Sequence, residues 1–293
     1  LGADQVRGGD GFDTLIYTAA TARVFVDLAR GFALDWGGFR DALNSIESPR
    51  GGPFNDVLRG GADFNFLRGN QGNDTLISGY DGTASFNGSI GVDYSGDPAG
   101  VAVDLKAGTA TDGWGNHDLL VGNFFTARGS AFADTLLGND FSNGFRPRGG
   151  ADIIDGRGGY DRVDYRDEAN TDPDADGFVV TASIDAAGSG TARDASGALD
   201  QLTSIEWLRG SNFNDSLAAQ GFGGAAFGAY TLNYNNTPAL EGRQGSDTLT
   251  GEAGDYVIVR YTSNEGGAYV DLAGGFAIDE WGFRDTLTNV WGV

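Results

Sequence analysis

The chain has 293 residues, of which 50 are glycine and 40% are hydrophobic. Glycine far above the usual ~7% indicates many turns rather than long helices. The net charge of −22 excludes nucleic acid and anionic membrane surfaces as partners and favours cations. The absence of cysteine excludes disulfides. The sequence contains no apolar run of 18 residues, so no segment is predicted to insert into a membrane.

A nine-residue repeat recurs along the chain. Residues 51–77 read GGPFNDVLR, GGADFNFLR and GNQGNDTLI, each with glycine first, Asp or Asn sixth and leucine eighth. Four more units run without a break over 129–164, and single units recur at 8–16, 210–218 and 242–250. The nonapeptide blocks are therefore predicted at 1–16, 51–77, 129–164 and 210–259.

This periodicity predicts an all-β fold, a parallel β-solenoid of the β-roll or β-helix kind. Glycine permits the tight turns, and the residues from the sixth to the ninth place form a short strand whose eighth residue points inward. Two units close one coil of eighteen residues, and only a stack of coils buries the apolar ladder. The side chains expected to be buried are Leu58, Leu67, Leu76, Leu136, Phe145, Ile154 and Val163.

A second repeating unit, the V-D-L unit, alternates with the nonapeptide blocks. Its four copies lie at 17–47, 93–126, 164–207 and 260–293. They share a tyrosine (Tyr17, Tyr94, Tyr165, Tyr261), a V-D-L-like triplet (Asp27, Asp104, Asp185, Asp271) and a late aspartate (Asp41, Asp118, Asp200, Asp285). Alternation of apolar residues in the triplet predicts a strand, and the units are expected to continue the solenoid as less regular coils. The whole of 1–293 is thus predicted to be one repeat array, with insertions at 167–177 and 219–241.

The nonapeptide resembles the RTX repeat of hemolysin-type calcium-binding proteins, G-G-x-G-x-D-x-U-x. GGDGFDTLI at 8–16 matches every fixed place, and GNQGNDTLI at 69–77 lacks only the second glycine. The resemblance implies Ca²⁺ held by turn carbonyls and sixth-place aspartates of coils eighteen residues apart. It implies the pairs Asp56 with Asp74, Asp134 with Asp152, and Asn143 with Asp161, and candidate metal ligands at Asp13, Asp56, Asp74, Asp134, Asp152, Asp161 and Asp247. The alternative is that these side chains cap turns by accepting nearby N–H groups.

A separate candidate calcium loop lies in the first insertion. Asp172, Asp174 and Asp176 precede Gly177 with the D-x-D-x-D-G spacing of a calcium loop, although the flanking helices of an EF-hand are not expected. The alternative is a simple acidic loop.

Other recurring side chains leave alternatives open. Arginine precedes the opening glycine of several units and either neutralises an acidic edge or forms a solvated row; these residues are Arg7, Arg50, Arg59, Arg68, Arg128 and Arg209. Trp36, Trp114 and Trp281 recur in the V-D-L units, where coil packing is favoured over sugar stacking or a partner contact. His117 stands where two sister copies have phenylalanine, which favours packing over catalysis. The absence of catalytic motifs indicates that the chain is not an enzyme.

The sequence therefore predicts a structural or adhesive segment of a large secreted or surface RTX-like protein. Such a segment would be a calcium-stiffened rod or a component of a surface layer or sheath, outside a bacterial cell. Its partners would be calcium ions and other copies of itself or a larger surface assembly. The alternative is a calcium-binding secretion or folding module of a type I-secreted enzyme or toxin whose catalytic domain lies elsewhere. The lack of any methionine leads us to expect that the chain is a piece of a longer or processed protein.

Overall fold

A computed structural model describes residues 2–61, 65–80, 90–169, 177–221, 237–262 and 266–293. Within these ranges the protein is all-β, with short strands joined by turns and no helix. The chain divides into two compact units, Leu1–Asn139 and Asp140–Val293. The acidic loop of Asp172, Asp174 and Asp176 and most of the insertion at 219–241 lie outside the described residues.

Each unit consists of strands of three to five residues with one two-residue exception. The strands of the first unit are β1 (Gln5–Arg7), β2 (Thr14–Ile16), β3 (Phe25–Asp27), β4 (Phe32–Leu34), β5 (Arg40–Asn44), β6 (Ser48–Arg50), β7 (Val57–Arg59), β8 (Asn65–Leu67), β9 (Thr75–Ile77), β10 (Ile90–Asp93), β11 (Ala102–Asp104), β12 (Thr109–Thr111), β13 (His117–Val121), β14 (Thr126–Arg128) and β15 (Thr135–Leu137). Those of the second unit are β16 (Gly144–Arg146), β17 (Ile153–Asp155), β18 (Arg162–Asp164), β19 (Val180–Ile184), β20 (Gly190–Arg193), β21 (Leu199–Thr203), β22 (Trp207–Arg209), β23 (Asp215–Ala219), β24 (Ala239–Glu241), β25 (Thr248–Gly251), β26 (Ile258–Val259), β27 (Tyr269–Asp271), β28 (Phe276–Ile278) and β29 (Arg284–Thr288).

Where nonapeptides follow one another without a break, their strands pair in parallel at a register of eighteen residues. Leu58 lies beside Leu76 in the β7–β9 pair, and Phe145 lies beside Val163 in the β16–β18 pair. Strands of successive nonapeptides alternate between two sheets, so that β7 and β9 share one sheet while β8 pairs with β10 in the other. All seven eighth-place side chains expected to be buried are fully buried, which confirms that prediction.

The V-D-L units contain antiparallel strand pairs that the sequence did not predict. In the copy at 17–47, β3, β4 and β5 form an antiparallel three-stranded meander within the first sheet. Its outer strands pair in parallel with nonapeptide strands, β5 with β1 and β3 with β7. The other three copies form the same meander, from β11 to β13, β19 to β21 and β27 to β29.

Two aspartate–glycine turns reverse the chain in each V-D-L unit. In the first copy, Asp27 accepts the Arg30 N–H at 2.9 Å and Gly31 has φ 67°, whereas Asp35 accepts the Gly37 and Phe39 N–H groups and Gly38 has φ 79°. A glycine readily adopts this left-handed conformation, and the carboxylate caps the N–H groups that the turn exposes. The four second turns follow a D-x-x-G pattern, with aspartates Asp35, Asp112, Asp194 and Asp279.

A Gly72→Ala variant should lose about 1–3 kcal/mol of unfolding free energy, because Gly72 has φ 137° and an added Cβ would lie 2.6 Å from the Phe54 carbonyl oxygen. Urea unfolding measures the loss. Gly61→Ala is the control in the same block, since nothing lies within 4 Å of an added Cβ there. Equal stability of the two variants would contradict the stacking of Gly72 on Phe54.

Candidate metal-binding turns

The sixth-place aspartate explains why most of the nonapeptides open with glycine, although the unit at 147–155 opens with Pro147. Its side chain folds back over the first residue of its own unit. A Cβ on Gly69 would lie 2.0 Å from Asp74 Oδ2, and one on Gly242 would lie 2.0 Å from Asp247 Oδ2. In these two units no side chain fits between the first Cα and the carboxylate, so the turn closes as it does because the first residue is glycine.

The fourth place divides the nonapeptide turns whose fourth residue the structure describes into two kinds. The glycine turns have glycine there, namely Gly11, Gly72, Gly150, Gly159 and Gly245. In each of them both the second and the fourth residue have positive φ; the second residues are Gly9, Asn70, Arg148, Arg157 and Arg243. The phenylalanine turns have Phe54, Phe132, Phe141 or Phe213 in the fourth place, and neither place has positive φ. A bulky side chain disfavours that conformation, so the fourth residue selects the turn.

Three of the four phenylalanine turns have a sixth-place aspartate whose carboxylate is saturated with hydrogen bonds, and the fourth has Asn143 there. Asp56 Oδ2 accepts the Gly52 N–H at 2.6 Å, and Asp56 Oδ1 accepts the Val24 N–H at 2.7 Å. In the same way the Ser130 N–H donates to the carboxylate of Asp134, and the Ser211 N–H donates to that of Asp215. In both turns the serine hydroxyl donates to the same carboxylate. In these turns the carboxylate acts as a cap.

The glycine turns leave one carboxylate oxygen buried without a hydrogen-bond partner. This oxygen is Oδ2 of Asp13, Asp74, Asp161 and Asp247. In three of these aspartates, Asp74, Asp161 and Asp247, the other oxygen, Oδ1, accepts the N–H of the sixth residue in the preceding coil. For example, the Asp56 N–H donates to Asp74 Oδ1 at 2.7 Å. An unpaired carboxylate oxygen away from water is costly, so these positions fit a bound cation or a proton.

The pairs expected from the sequence have different outcomes. Asp56 and Asp74 are adjacent, and so are Asn143 and Asp161, whose Oδ1 accepts the Asn143 N–H at 2.6 Å. Asp134 belongs to the first unit and Asp152 to the second, and each is described within its own unit. The metal-binding role of every one of these residues stays a prediction.

Burial raises the pKa of three glycine-turn aspartates. The pKa of Asp74 and of Asp161 rises to about 8, and that of Asp247 to about 9, with neighbouring carboxylates adding to the effect of burial. Without a cation, these groups therefore hold a proton in the folded protein near neutral pH.

In calcium-free solution, stability should fall as the pH rises from about 4 to about 8. A carboxyl group with a raised folded-state pKa binds more protons when folded than when unfolded across that window, so each pH unit removes folding free energy, about 1.4 kcal/mol per fully linked group. Melting temperatures at stepped pH values measure this slope. The double variant Asp74→Asn, Asp247→Asn should have a flatter slope, and a melting temperature that climbs with pH would contradict the assignment.

In three V-D-L units the shared tyrosine donates a hydrogen bond to the late aspartate. Tyr94 OH donates to Asp118 Oδ2 at 2.9 Å, and Tyr261 OH donates to Asp285 Oδ2 at 2.8 Å. The third copy has the same bond from Tyr165 to Asp200 at 2.8 Å. Each late aspartate also accepts the N–H of the sixth-place aspartate before it, such as Asp74 N–H to Asp118 at 2.8 Å. The carboxylates thus form ladders that run from nonapeptide turns into the meanders.

The arginines before the opening glycines contact a different set of acids. Asp93 is buried between Arg68, at 2.7 Å, and Arg128, at 3.9 Å. Arg209 lies 3.3 Å from both Asp164 and Glu241. In each unit, therefore, these arginines pair with carboxylates other than the sixth-place aspartates, and the three are neither a solvated row nor partners of the sixth-place edge. Arg7, in contrast, is exposed.

The remaining candidates show no catalytic arrangement. His117 is exposed on β13, where its Nδ1 lies 3.2 Å from the Thr111 hydroxyl. Trp36 packs edge-on against Tyr17 at 6.3 Å, whereas Trp114 and Trp281 are about two-fifths exposed. In the described ranges no three acidic or histidine side chains converge to enclose an ion. An ion at a glycine turn would therefore need backbone oxygens and water beside the carboxylate, a ligand set that suits calcium.

Paired β-strands on an eighteen-residue register, with buried carboxylates at the turns, define a β-strand repeat protein with candidate cation sites. The profile of the RTX calcium-binding nonapeptide repeat matches in four copies over residues 1–16, 50–79 and 239–258. The chain therefore contains RTX repeats, as the sequence pattern indicated, and such repeats are non-catalytic modules that bind calcium ions and occur in secreted bacterial proteins. No curated protein matches the chain. The described residues contain no helix long and apolar enough to cross a membrane.

Proposed function

We propose that this chain is a calcium-stiffened parallel β-solenoid that acts as a structural or adhesive segment of a larger extracellular or cell-surface bacterial protein. One observation supports calcium above all: the glycine turns alone combine positive φ at two places with a buried, unpartnered carboxylate oxygen at Asp13, Asp74, Asp161 and Asp247. Calcium bound there supplies positive charge and accepts these oxygens as ligands. The phenylalanine turns bind no ion and close on their own hydrogen bonds.

The division of turns suggests how the array is built. Gly72 stacks on the Phe54 carbonyl, Gly159 on that of Phe141, and Gly245 on that of Phe213, so three of the five glycine turns lie on a phenylalanine turn. In this arrangement a turn that needs no ion supports each of these three calcium-dependent turns. The protein would keep part of its structure without calcium and become rigid when calcium binds. Binding constants near 10⁻⁴–10⁻³ M, the range of extracellular calcium modules, would suit this role.

Paired Asp→Asn variants test the assignment of calcium to glycine turns. The double variant Asp74→Asn, Asp247→Asn should bind two fewer calcium ions by equilibrium dialysis and lose part of the calcium-induced rise in melting temperature. The matched control Asp56→Asn, Asp215→Asn removes the same charge from two phenylalanine turns, whose carboxylates are capped. It should lower the melting temperature in chelator and in calcium alike and retain every ion. Equal loss of calcium in both variants would overturn the assignment.

The structural role competes with that of a secretion or folding module attached to an enzyme or toxin. Four V-D-L meanders alternating with nonapeptide blocks favour a rod built by repetition. The reading frame on both sides of this chain tests the choice. Further copies of both units would support the rod, and an unrelated enzyme domain with no further repeats would support the module.

A further inference from the structure

Two V-D-L units contain an additional acid three residues after the tyrosine. The residue is Asp97 in the copy that begins with Tyr94 and Glu168 in the copy that begins with Tyr165. Both occupy the same turn, since the Asp97 N–H donates to the Tyr94 carbonyl at 3.0 Å and the Glu168 N–H donates to the Tyr165 carbonyl at 3.1 Å. The first copy has Ala20 at this place, in the same turn on Tyr17.

Each additional acid contacts the turn of the D-x-x-G aspartate. Asp97 Oδ2 accepts the N–H of Gly113, the residue after Asp112, at 2.8 Å. Glu168 accepts the N–H of Ala195, the residue after Asp194. One backbone hydrogen bond therefore holds each acid against the second reversal of its meander.

The other oxygen of each acid is buried without a hydrogen-bond partner. These atoms are Asp97 Oδ1 and Glu168 Oε1, and Asp97 is only 5% exposed. In the third copy Asp194 is 0% exposed and its Oδ2 likewise has no partner. Asp97 repels the charges of Asp112 and Asp118, as Glu168 repels those of Asp194 and Asp200.

The nearest arginines lie closer to other carboxylates than to these acids. Arg68 is within electrostatic range of Asp97, but its guanidinium donates to Asp93 and Ser95. Arg148 is within range of Glu168, but the carboxylate nearest to its Nη1 is that of Asp167 at 4.0 Å. In the second copy Asp112 Oδ2 accepts the Asn116 side-chain N–H at 2.9 Å, so the oxygen without a donor is that of Asp97, whereas in the third copy Glu168 and Asp194 each have one. Buried oxygens without donors beside further carboxylates fit a divalent cation with oxygen ligands.

We propose that the second and third V-D-L units each bind one calcium ion between the additional acid and the D-x-x-G aspartate, Asp97 with Asp112 and Glu168 with Asp194. The first unit, with alanine in place of the acid, binds none there. These sites lie outside the nonapeptide and are not part of its motif. They place a cation inside the meanders, so calcium stiffens both kinds of repeat rather than the nonapeptide turns alone. Backbone oxygens and water complete the coordination, since no three acidic side chains of the described residues enclose the ion.

Calcium stoichiometry of three single variants tests the proposal. Asp97→Asn and Glu168→Gln should each lose one ion at a calcium concentration that saturates the parent protein, and the double variant should lose two. Asp185→Asn is the control, because it removes one charge from an exposed turn of the third V-D-L unit. The variants should melt no lower than the parent in chelator, since each replaces a buried carboxylate by a neutral amide, but should gain less from calcium.

The outcomes separate this proposal from calcium binding at the glycine turns. Full stoichiometry in both Asp97→Asn and Glu168→Gln, with two ions still lost in Asp74→Asn, Asp247→Asn, would overturn the meander sites and leave the turn sites standing. The reverse pattern would overturn the turn sites alone. Loss of an ion from the Asp185→Asn control would also contradict the proposal, because that aspartate caps only the N–H groups of its own turn.

Discussion

An Ile154→Asp variant should be largely unfolded at room temperature. Ile154 is fully buried at the centre of β17, where it lies beside Leu202 of β21. Removing its side chain costs about 2–5 kcal/mol, and burying an unpaired carboxylate adds several more. The sum is comparable to the 5–15 kcal/mol that typically stabilises a domain. Circular dichroism and a thermal melt in calcium measure the loss of structure.

The neighbouring residue supplies the matched control. Ile153 is also an isoleucine of β17 but is 53% exposed, because adjacent side chains of a strand point to opposite faces. Ile153→Asp should therefore change stability by no more than about 0.5 kcal/mol. Similar melting temperatures for the two variants would contradict the alternation of buried and exposed residues that the nonapeptide pattern predicts.

The nonapeptide could be predicted because one local pattern determines it. Glycine at the first place fits a turn and leucine at the eighth fits a strand, and both recur every nine residues. The structure confirms the parallel register and the burial of Leu58 and Leu76. The sixth-place aspartate was expected at the turn for the same reason. The role of the fourth place in selecting the turn was missed, although Phe54 against Gly72 decides which carboxylates are capped.

The meanders of the V-D-L units were missed, although their signal is present in the sequence. Apolar alternation predicts a strand but not the direction of its partner. The direction depends on the turns, and the D-x-x-G spacing of Asp112 to Gly115 recurs in all four copies, each with a positive-φ glycine. The tyrosine and the late aspartate were recognised as a shared frame, but only the folded chain brings Tyr94 to Asp118. A hydrogen bond between residues 24 positions apart cannot be predicted from their spacing unless the path of the chain between them is known.

Removing calcium should lower the melting temperature substantially. The chain has a net charge of −22, and folding concentrates carboxylates such as Asp74 and Asp118 in ladders with little access to water. Each independent site stabilises the fold by about 2.7 kcal/mol when calcium is at a hundred times its dissociation constant. Several such sites in one chain can exceed the whole stability of a small domain, so the calcium-free protein should melt early or remain partly structured through its phenylalanine turns.

Melting in chelator, in millimolar calcium and in millimolar magnesium distinguishes ion binding from screening. Magnesium holds its octahedral water shell tightly and needs a more regular site, so it should restore little of the stability that calcium gives. Sodium chloride at matched ionic strength weakens repulsion between exposed charges but reaches buried carboxylates poorly. If salt or magnesium restored the melting temperature as fully as calcium, charge screening would explain the effect. If all conditions gave the same curve, Asp74 and Asp247 would be protonated turn residues in a repeat that no longer binds ions.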